Sequence, residues 1–361
     1  MLKKQPLQRL VLLGFILAII SLQVQSSPEL VKSPKPINTP DFESAPKDNQ
    51  GRFTNQGGEL SHGSLSVRLR FYLRRFGTLF RSDAGAPKIV ANQADFLRDN
   101  SSVPTVTWIG HATLLVQMEG VNFLTDPIWS QTPSPVPPIG PSRWVDPGMA
   151  LEDLPTIDFV VISHNHFDHL DLPTLRKLAA RNSDTVFFVP LGNADLLIKS
   201  GITQVQELDW GGTAHYKNTQ IHCLPTQHWS KRKLSDTRKS LWASWAVIGS
   251  ERRFYFAGDT GYFGGFKQIG ARLGPFDLAA VPIGAYEPHA MMAETHMNPE
   301  EAVQAALDVQ AEAALAIHFG TFDLSDEPLA EPPLRFKTAA QETRLGSDNS
   351  WVLDIGETRQ F

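Results

Sequence analysis

Phe159-Val160-Val161-Ile162-Ser163-His164-Asn165-His166-Phe167-Asp168-His169 is the stretch that decides the reading of this chain. Its four leading apolar residues fit a short strand covered on both faces, which is apolar in succession rather than alternating. Of the six residues after Ser163, His164, His166, Asp168 and His169 can each hold a metal ion. Imidazole and carboxylate together suit zinc and similar divalent ions. In extended backbone, residues i and i+2 face the same way, so His164 and His166 can grip one ion. Asp168 and His169 are neighbours and diverge, so they can serve a second ion nearby. Such a cluster at a strand end points to a two-metal hydrolytic site. A solvated, His-rich loop is the alternative, and it would leave the rest of the chain without matching ligands.

Matching ligands are present. His228 follows the apolar run Ile221–Leu224, Asp259 follows Arg253–Ala257 in a Gly-Asp-Thr-Gly turn, and His318 closes Ala314–Ile317. Each alone is weak, because a His at a strand end is commonly structural and an Asp beside Gly is commonly a turn residue. Together they place donors at several separate strand ends. One carboxylate such as Asp259 can bridge two cations and bring them within about 4 Å.

The arrangement resembles the metallo-β-lactamase superfamily over roughly residues 103–335, with its HxHxDH signature at His164–His169 and its later His, Asp and His at His228, Asp259 and His318. The resemblance implies an α+β fold, a four-layer αβ/βα sandwich with the site at one edge of two sheets. It also implies that His164, His166 and His228 hold a first ion, that Asp168, His169 and His318 hold a second, and that Asp259 bridges them. More narrowly, Trp108–Thr113, Leu124–Pro127, Ser163–Asp171, Gln227–Ser230, Phe256–Tyr262, Pro282–Pro288 and Ile317–Phe322 are similar, in content and order, to the N-acylphosphatidylethanolamine-hydrolysing phospholipase D group. That likeness implies cleavage of a lipid phosphodiester to an N-acylethanolamine and phosphatidic acid. Hydrolysis of a carbonyl ester, lactone or β-lactam on the same metals is the second reading. The expected cofactor is two divalent ions, zinc foremost, although nitrogen and oxygen donors without thiolate also admit manganese or iron.

Several other residues are candidates around this set. Asp168 and Asp259 can orient or deprotonate a nucleophile. By resemblance, His296 lines the site and contacts the phosphate or assists the leaving group; a surface His beside a helix is the other reading. His111 supports a ligand or simply occupies a turn. Asp126, at a strand end, fixes a ligand histidine, and Asp171 does the same or only caps a helix. Lys231, Arg232 and Lys233 begin three residues after His228 and either hold an anionic substrate or form a solvated charge run. Trp229, Trp242 and Trp245 are candidates for an apolar wall, with two of them in a core strand.

The remainder of the 361 residues is ordinary in composition, 42% hydrophobic and 20% charged, and a net charge of −5 gives no global field for nucleic acid. Residues 1–26 combine Lys3, Lys4 and Arg9 with an apolar run of about thirteen residues, short of the roughly twenty a span needs. They read as a signal peptide or an uncleaved anchor, and the expected location is the periplasm or cell envelope. Cys223 is the single cysteine, so no intramolecular disulfide forms, and its apolar neighbours make it a small core residue. Residues 27–63 read as a disordered linker and 64–100 as a basic amphipathic segment. That segment either lies on an anionic membrane or packs on the main domain with its arginines solvated. Residues 101–361 form the hydrolase domain. Expected partners are a phospholipid or other ester and peripheral membrane contact; oligomeric state is not legible. Within the domain, a meander turns near Gly110 and Gly120, and two strand-rich halves with helices suggest two facing sheets. One helix is fully marked, with Asn298 as N-cap, Pro299 in its first turn and Glu301 placed for a capping box.

Overall fold

In the computed structural model the apolar run Phe159–Val161 is a strand in the middle of a seven-stranded sheet. The structure describes residues 37–38, 42–77 and 85–361; the segment read as signal peptide or anchor lies outside the described residues. Numbered along the chain, the elements begin with β1 (Ile37–Asn38), α1 (Leu65–Gly77) and α2 (Ala94–Asp99). Then β2 (Thr105–Gly110), β3 (Thr113–Met118) and β4 (Val121–Thr125) make the expected antiparallel meander. Pairing next turns parallel, from β4 to β5 (Phe159–Val161), β6 (Val186–Pro190) and β7 (Val205–Leu208). Parallel neighbours need a crossover; residues 126–158 make the first, and α3 (Leu172–Arg181) and α4 (Ala194–Ile198) lie in the next two.

The second sheet repeats this change of direction. β8 (Gly212–Tyr216), β9 (Thr219–Leu224), β10 (Ser244–Ile248) and β11 (Arg253–Phe256) are antiparallel. From β11 the order runs parallel through β12 (Phe276–Pro282), β13 (Ala311–Ile317) and β14 (Ser350–Trp351). The crossovers carry α5 (Gly265–Leu273), α6 (His289–Met292), α7 (Pro299–Asp308) and α8 (Glu331–Gln341). β15 (Thr358–Gln360) returns to pair with β2, and β1 joins the free side of β8.

Alternation along the strands explains the layers. On β4, Phe123 faces the other sheet, with its ring 5.7 Å from Phe254, whereas Leu124 packs with Leu175, Leu178 and Leu197 of the outer helices. The same division holds the two sheets together through Trp108, Trp245 and Phe254. The result is the expected α+β sandwich of helices, sheet, sheet and helices. α7 starts as its sequence dictates: Asn298 accepts from the Glu301 N–H at 2.9 Å, and the Glu301 carboxylate accepts from the Asn298 N–H at 3.0 Å.

Two expectations need correction. Residues 42–63 are not a disordered linker. Phe53 and Asn55 are buried, and an isolated bridge pairs Lys47 with Phe53. Low apolar content suggested disorder, but two side chains in this segment find fitted partners in the domain. Asp171 stands at the N-cap of α3, yet its carboxylate accepts from Ser130 N and Oγ and from Thr174 Oγ1 rather than from helix N–H groups.

Candidate metal centre

Every candidate ligand sits where a strand has just ended. His111 occupies the β2–β3 turn, His164 to His169 follow β5, His228 follows β9, Asp259 follows β11 and His318 follows β13. Both sheets end at the same edge of the sandwich, so residues 111 to 318 converge there.

Three imidazoles meet first. His164 Nε2 lies 2.7 Å from His166 Nδ1, which lies 3.3 Å from His228 Nε2. Nitrogens around a tetrahedral zinc, at about 2.0–2.1 Å each, stand about 3.3 Å apart. Partner chemistry fixes two tautomers. His228 Nδ1 faces the Thr295 carbonyl at 3.0 Å, so it donates and leaves Nε2 with its lone pair. Ser163 Oγ donates to Asp126 and stands 2.9 Å from His164 Nδ1, so it accepts from that nitrogen and frees His164 Nε2. Burial, reinforced by the neighbouring imidazoles, lowers His164, and burial pushes His166 down to about 4; burial also lowers His228 against the pull of Asp259. All three are neutral, as metal ligation requires.

A second group adjoins them. Asp168 Oδ2 lies 3.0 Å from His111 Nε2, 3.2 Å from His169 Nε2 and 3.7 Å from His318 Nε2. Asp259 stands between the groups, with Oδ2 at 3.1 Å from His169 Nε2 and 3.8 Å from His228 Nε2, and Oδ1 at 3.1 Å from His318 Nε2. Asp126 accepts from His169 Nδ1 at 2.7 Å, which turns the ring's other nitrogen toward the centre. Burial would lower His169 and His318, but Asp259, Asp168 and, for His169, Asp126 raise both, His318 to about 9. Burial would likewise raise Asp168 and Asp259; the His169 charge, joined by the bond from His111 to Asp168 and by the nearby His318 charge, holds both well below the carboxylate range. Two ionised carboxylates at this depth demand positive charge. The donor set suits divalent ions, and the buried His166 Nε2, His169 Nε2, His318 Nε2 and Asp259 Oδ1 have no hydrogen-bond partner.

His296 reaches the same place. Its Nδ1 lies 3.9 Å from Asp259 Oδ2, its ring stacks on His318 at 5.6 Å, and burial pushes it down to about 4. Other expectations separate. The Arg232 guanidinium turns to the loop after β5: it donates to the carbonyls of Asn165 and Leu170 at 3.0 and 2.8 Å and stacks on Phe167 at 4.0 Å. It braces the ligand loop from behind, whereas Lys233 is exposed and Lys231 half-buried. Asp171 touches Ser130 and Thr174, not a candidate ligand. Trp242 and Trp245 belong to the core; Trp229 alone stands at the site, 4.6 Å from the His166 ring. Ser163 and Thr295 were missed. Ser163 carried one signal, its place immediately before His164.

The family model described as the beta-lactamase superfamily domain matches residues 121–319. N-acyl-phosphatidylethanolamine-hydrolyzing phospholipase D 1 of Caenorhabditis elegans is 45% identical over 263 residues, 70% of this chain and 74% of that protein. The mitochondrial N-acyl-phosphatidylethanolamine-hydrolyzing phospholipase D of Saccharomyces cerevisiae is 34% identical over 262 residues, 71% of this chain and 55% of that protein. Among solved structures, Igni18, a metallo hydrolase from Ignicoccus hospitalis, matches with a TM-score of 0.55 at 24% identity, over 72% of this chain and 99% of that one. This last likeness concerns the fold.

Proposed function

The chain belongs to the metallo-β-lactamase superfamily of metal-dependent hydrolases, and on that premise we propose that it is a two-metal phosphodiesterase that cleaves N-acylphosphatidylethanolamine-like lipids. The observation that carries the proposal is the position of Asp259, within 3.1 Å of both His169 and His318 and 3.8 Å of His228. A carboxylate so placed can serve two ions at once. His164, His166 and His228 would hold one ion, Asp168, His169 and His318 the other. Divalent ions bound there supply Lewis acidity and bring the pKa of a water toward neutrality. Asp168, ionised and held by His111 at 3.0 Å, would orient a water there and accept its proton. His296, neutral and facing Asp259, would donate its one ring N–H to an oxygen of the bound phosphate. The 45% identity to a phospholipase D supports the lipid as substrate.

The N-terminal helix supports access to a bilayer. Leu65, Leu69 and Leu73 repeat every four residues and are exposed, as is Tyr72. α1 has no acidic residue in its sequence, Arg68 and Arg70 are exposed, and Arg74 pairs with Asp326 at 2.7 Å. An apolar stripe edged with arginine is suited to lie in an anionic interface. No described helix is long and apolar enough to cross a membrane. Residues 1–26 support export to the cell envelope as part of the same proposal.

The test is hydrolysis of N-acylphosphatidylethanolamine in vesicles by the zinc-loaded full chain, beside Asp259→Asn and a Leu69→Glu, Leu73→Glu double variant, with metal content measured on each. The wild type should release N-acylethanolamine, the Asp259 variant should not, and the leucine variant should lose sedimentation with anionic vesicles. Two ions bound without lipid cleavage, and turnover of a carbonyl ester or lactone instead, would refute the phosphodiesterase reading.

A further inference from the structure

β9 ends at Leu224, so His228 lies beyond the reach of the sheet ladder. Its backbone N–H and C=O are nevertheless fully buried and must find partners elsewhere. Asn55 provides both. Its Nδ2 donates to the His228 carbonyl at 2.9 Å, and its Oδ1 accepts from the His228 N–H at 3.1 Å. The side-chain amide thus pairs with one residue as a neighbouring strand would. The partners also settle which way the amide points, because an N–H only donates and a carbonyl only accepts. Oδ1 takes a second bond, from Trp242 Nε1 at 2.9 Å, so Asn55 cannot turn without losing all three.

The segment carrying Asn55 is tied down on both sides. Phe53, buried, donates its N–H to the Arg238 carbonyl at 2.8 Å, and the Arg238 guanidinium pairs with Asp48 at 3.1 Å and Glu59 at 2.6 Å. Further on, Ser61 N donates to the Glu294 carboxylate, and the His62 ring lies 5.2 Å from Trp229, which lies against His166. Residues 53–63 therefore form a strap that touches His228 directly and His166 through one indole.

We infer that Asn55 is a positioning residue of the metal centre: it sets the backbone of His228, as Thr295 sets its ring, so that Nε2 faces His166 and Asp259. Without Asn55 two buried backbone groups lose their partners, and the segment 225–228 moves to find others. The inference rests on the reading of His228 as a metal ligand.

The test uses the full chain, freed of metal, with zinc alone as probe. Zinc affinity is measured by competition with a chelator at a temperature well below the Tm of every variant, and cobalt loading reports coordination by its visible spectrum. Asn55→Ala should bind zinc ten- to a hundredfold more weakly, the usual effect of losing a partner that orients a ligand, and should change the cobalt spectrum. Leu178→Ala, which opens a cavity in the separate core cluster under the outer helices, should lower Tm and leave zinc affinity and spectrum unchanged. Asn55→Ser, a milder change, carries the same expectation if Asn55→Ala does not fold. His228→Ala is measured alongside. If it weakens zinc binding while both Asn55 variants stay within twofold of wild type, the inference is overturned and the ligand assignment stands. If His228→Ala leaves zinc binding unchanged, the ligand assignment fails and the inference with it.

Discussion

Asp126→Asn alters the centre without removing any group proposed to touch an ion. The Asp126 carboxylate is fully buried; one oxygen accepts from Ser163 N at 2.6 Å, the other from Ser163 Oγ and from His169 Nδ1 at 2.7 Å. In the amide, the oxygen that faces His169 becomes an NH₂, which donates. His169 Nδ1 must then accept, and its proton moves to Nε2, the nitrogen that stands 3.2 Å from Asp168 and 3.1 Å from Asp259. The shape of the site survives but a lone pair is lost. Partners of this kind contribute about ten- to a hundredfold in metal affinity, or about 1.4–2.8 kcal/mol. The metal-free fold should change little, because the variant loses two accepted hydrogen bonds but also a carboxylate that burial pushes above its usual pKa. A shift in the metal-free Tm of no more than about 4 °C is expected. Chelator competition with zinc and calorimetry of the metal-free chain measure the two quantities. Zinc affinity within twofold of wild type would refute the argument that Asp126 sets the His169 tautomer.

Two further outcomes follow from the same geometry. In the metal-free chain His318, raised to about 9, and His169 contribute stability that is complete below about pH 6.5 and lost as pH rises through their folded values. His166 and His296, lowered to about 4, contribute stability that is present above about pH 6.5 and lost as pH falls toward 4. The metal-free Tm should therefore pass through a maximum near pH 6.5, and zinc binding at pH 7.5 should release protons, read from calorimetric titrations in two buffers of different ionisation enthalpy; no release would contradict the raised imidazoles. Arg232→Ala should lower stability by about 2 kcal/mol by leaving two carbonyls unpaired, with KM for the lipid within twofold of wild type, and a large rise in KM without loss of stability would return Arg232 to the substrate.

The centre was legible because its donors are concentrated. Four of them fall within six residues after an apolar run, and the others each close a strand that its own composition marks. The capping box of α7 was equally local, with Asn298 and Glu301 three residues apart. Asn55 was not legible, since its partner is 173 residues away in sequence and its neighbours are polar and glycine-rich. The contacts of Arg232 were hidden for a related reason. Position in the chain placed it beside the site, but only the packed loop decides that its guanidinium turns inward to Asn165 and Leu170. The trend is physical: donor type and strand ends are written locally, whereas the groups that orient donors are chosen by which segments the two sheets bring together.

The strand ends that converge on the centre are also bent in an unusual way. His111, Asp126 and His318 have φ of 55°, 36° and 60°, and Gly258, before Asp259, has φ 61° with Ser163 Cβ 2.6 Å from where its own Cβ would stand. L-residues with side chains hold such angles at a cost of about 1–3 kcal/mol each. Glycine or asparagine would relieve it. A lineage selected for thermal endurance alone would therefore be expected to drift first at positions 111 and 318, becoming hardier as it loses its imidazoles. On the proposed reading, the imidazoles at these two positions are held beside Asp168 and Asp259 by a standing conformational load that the chain carries even when the centre is idle.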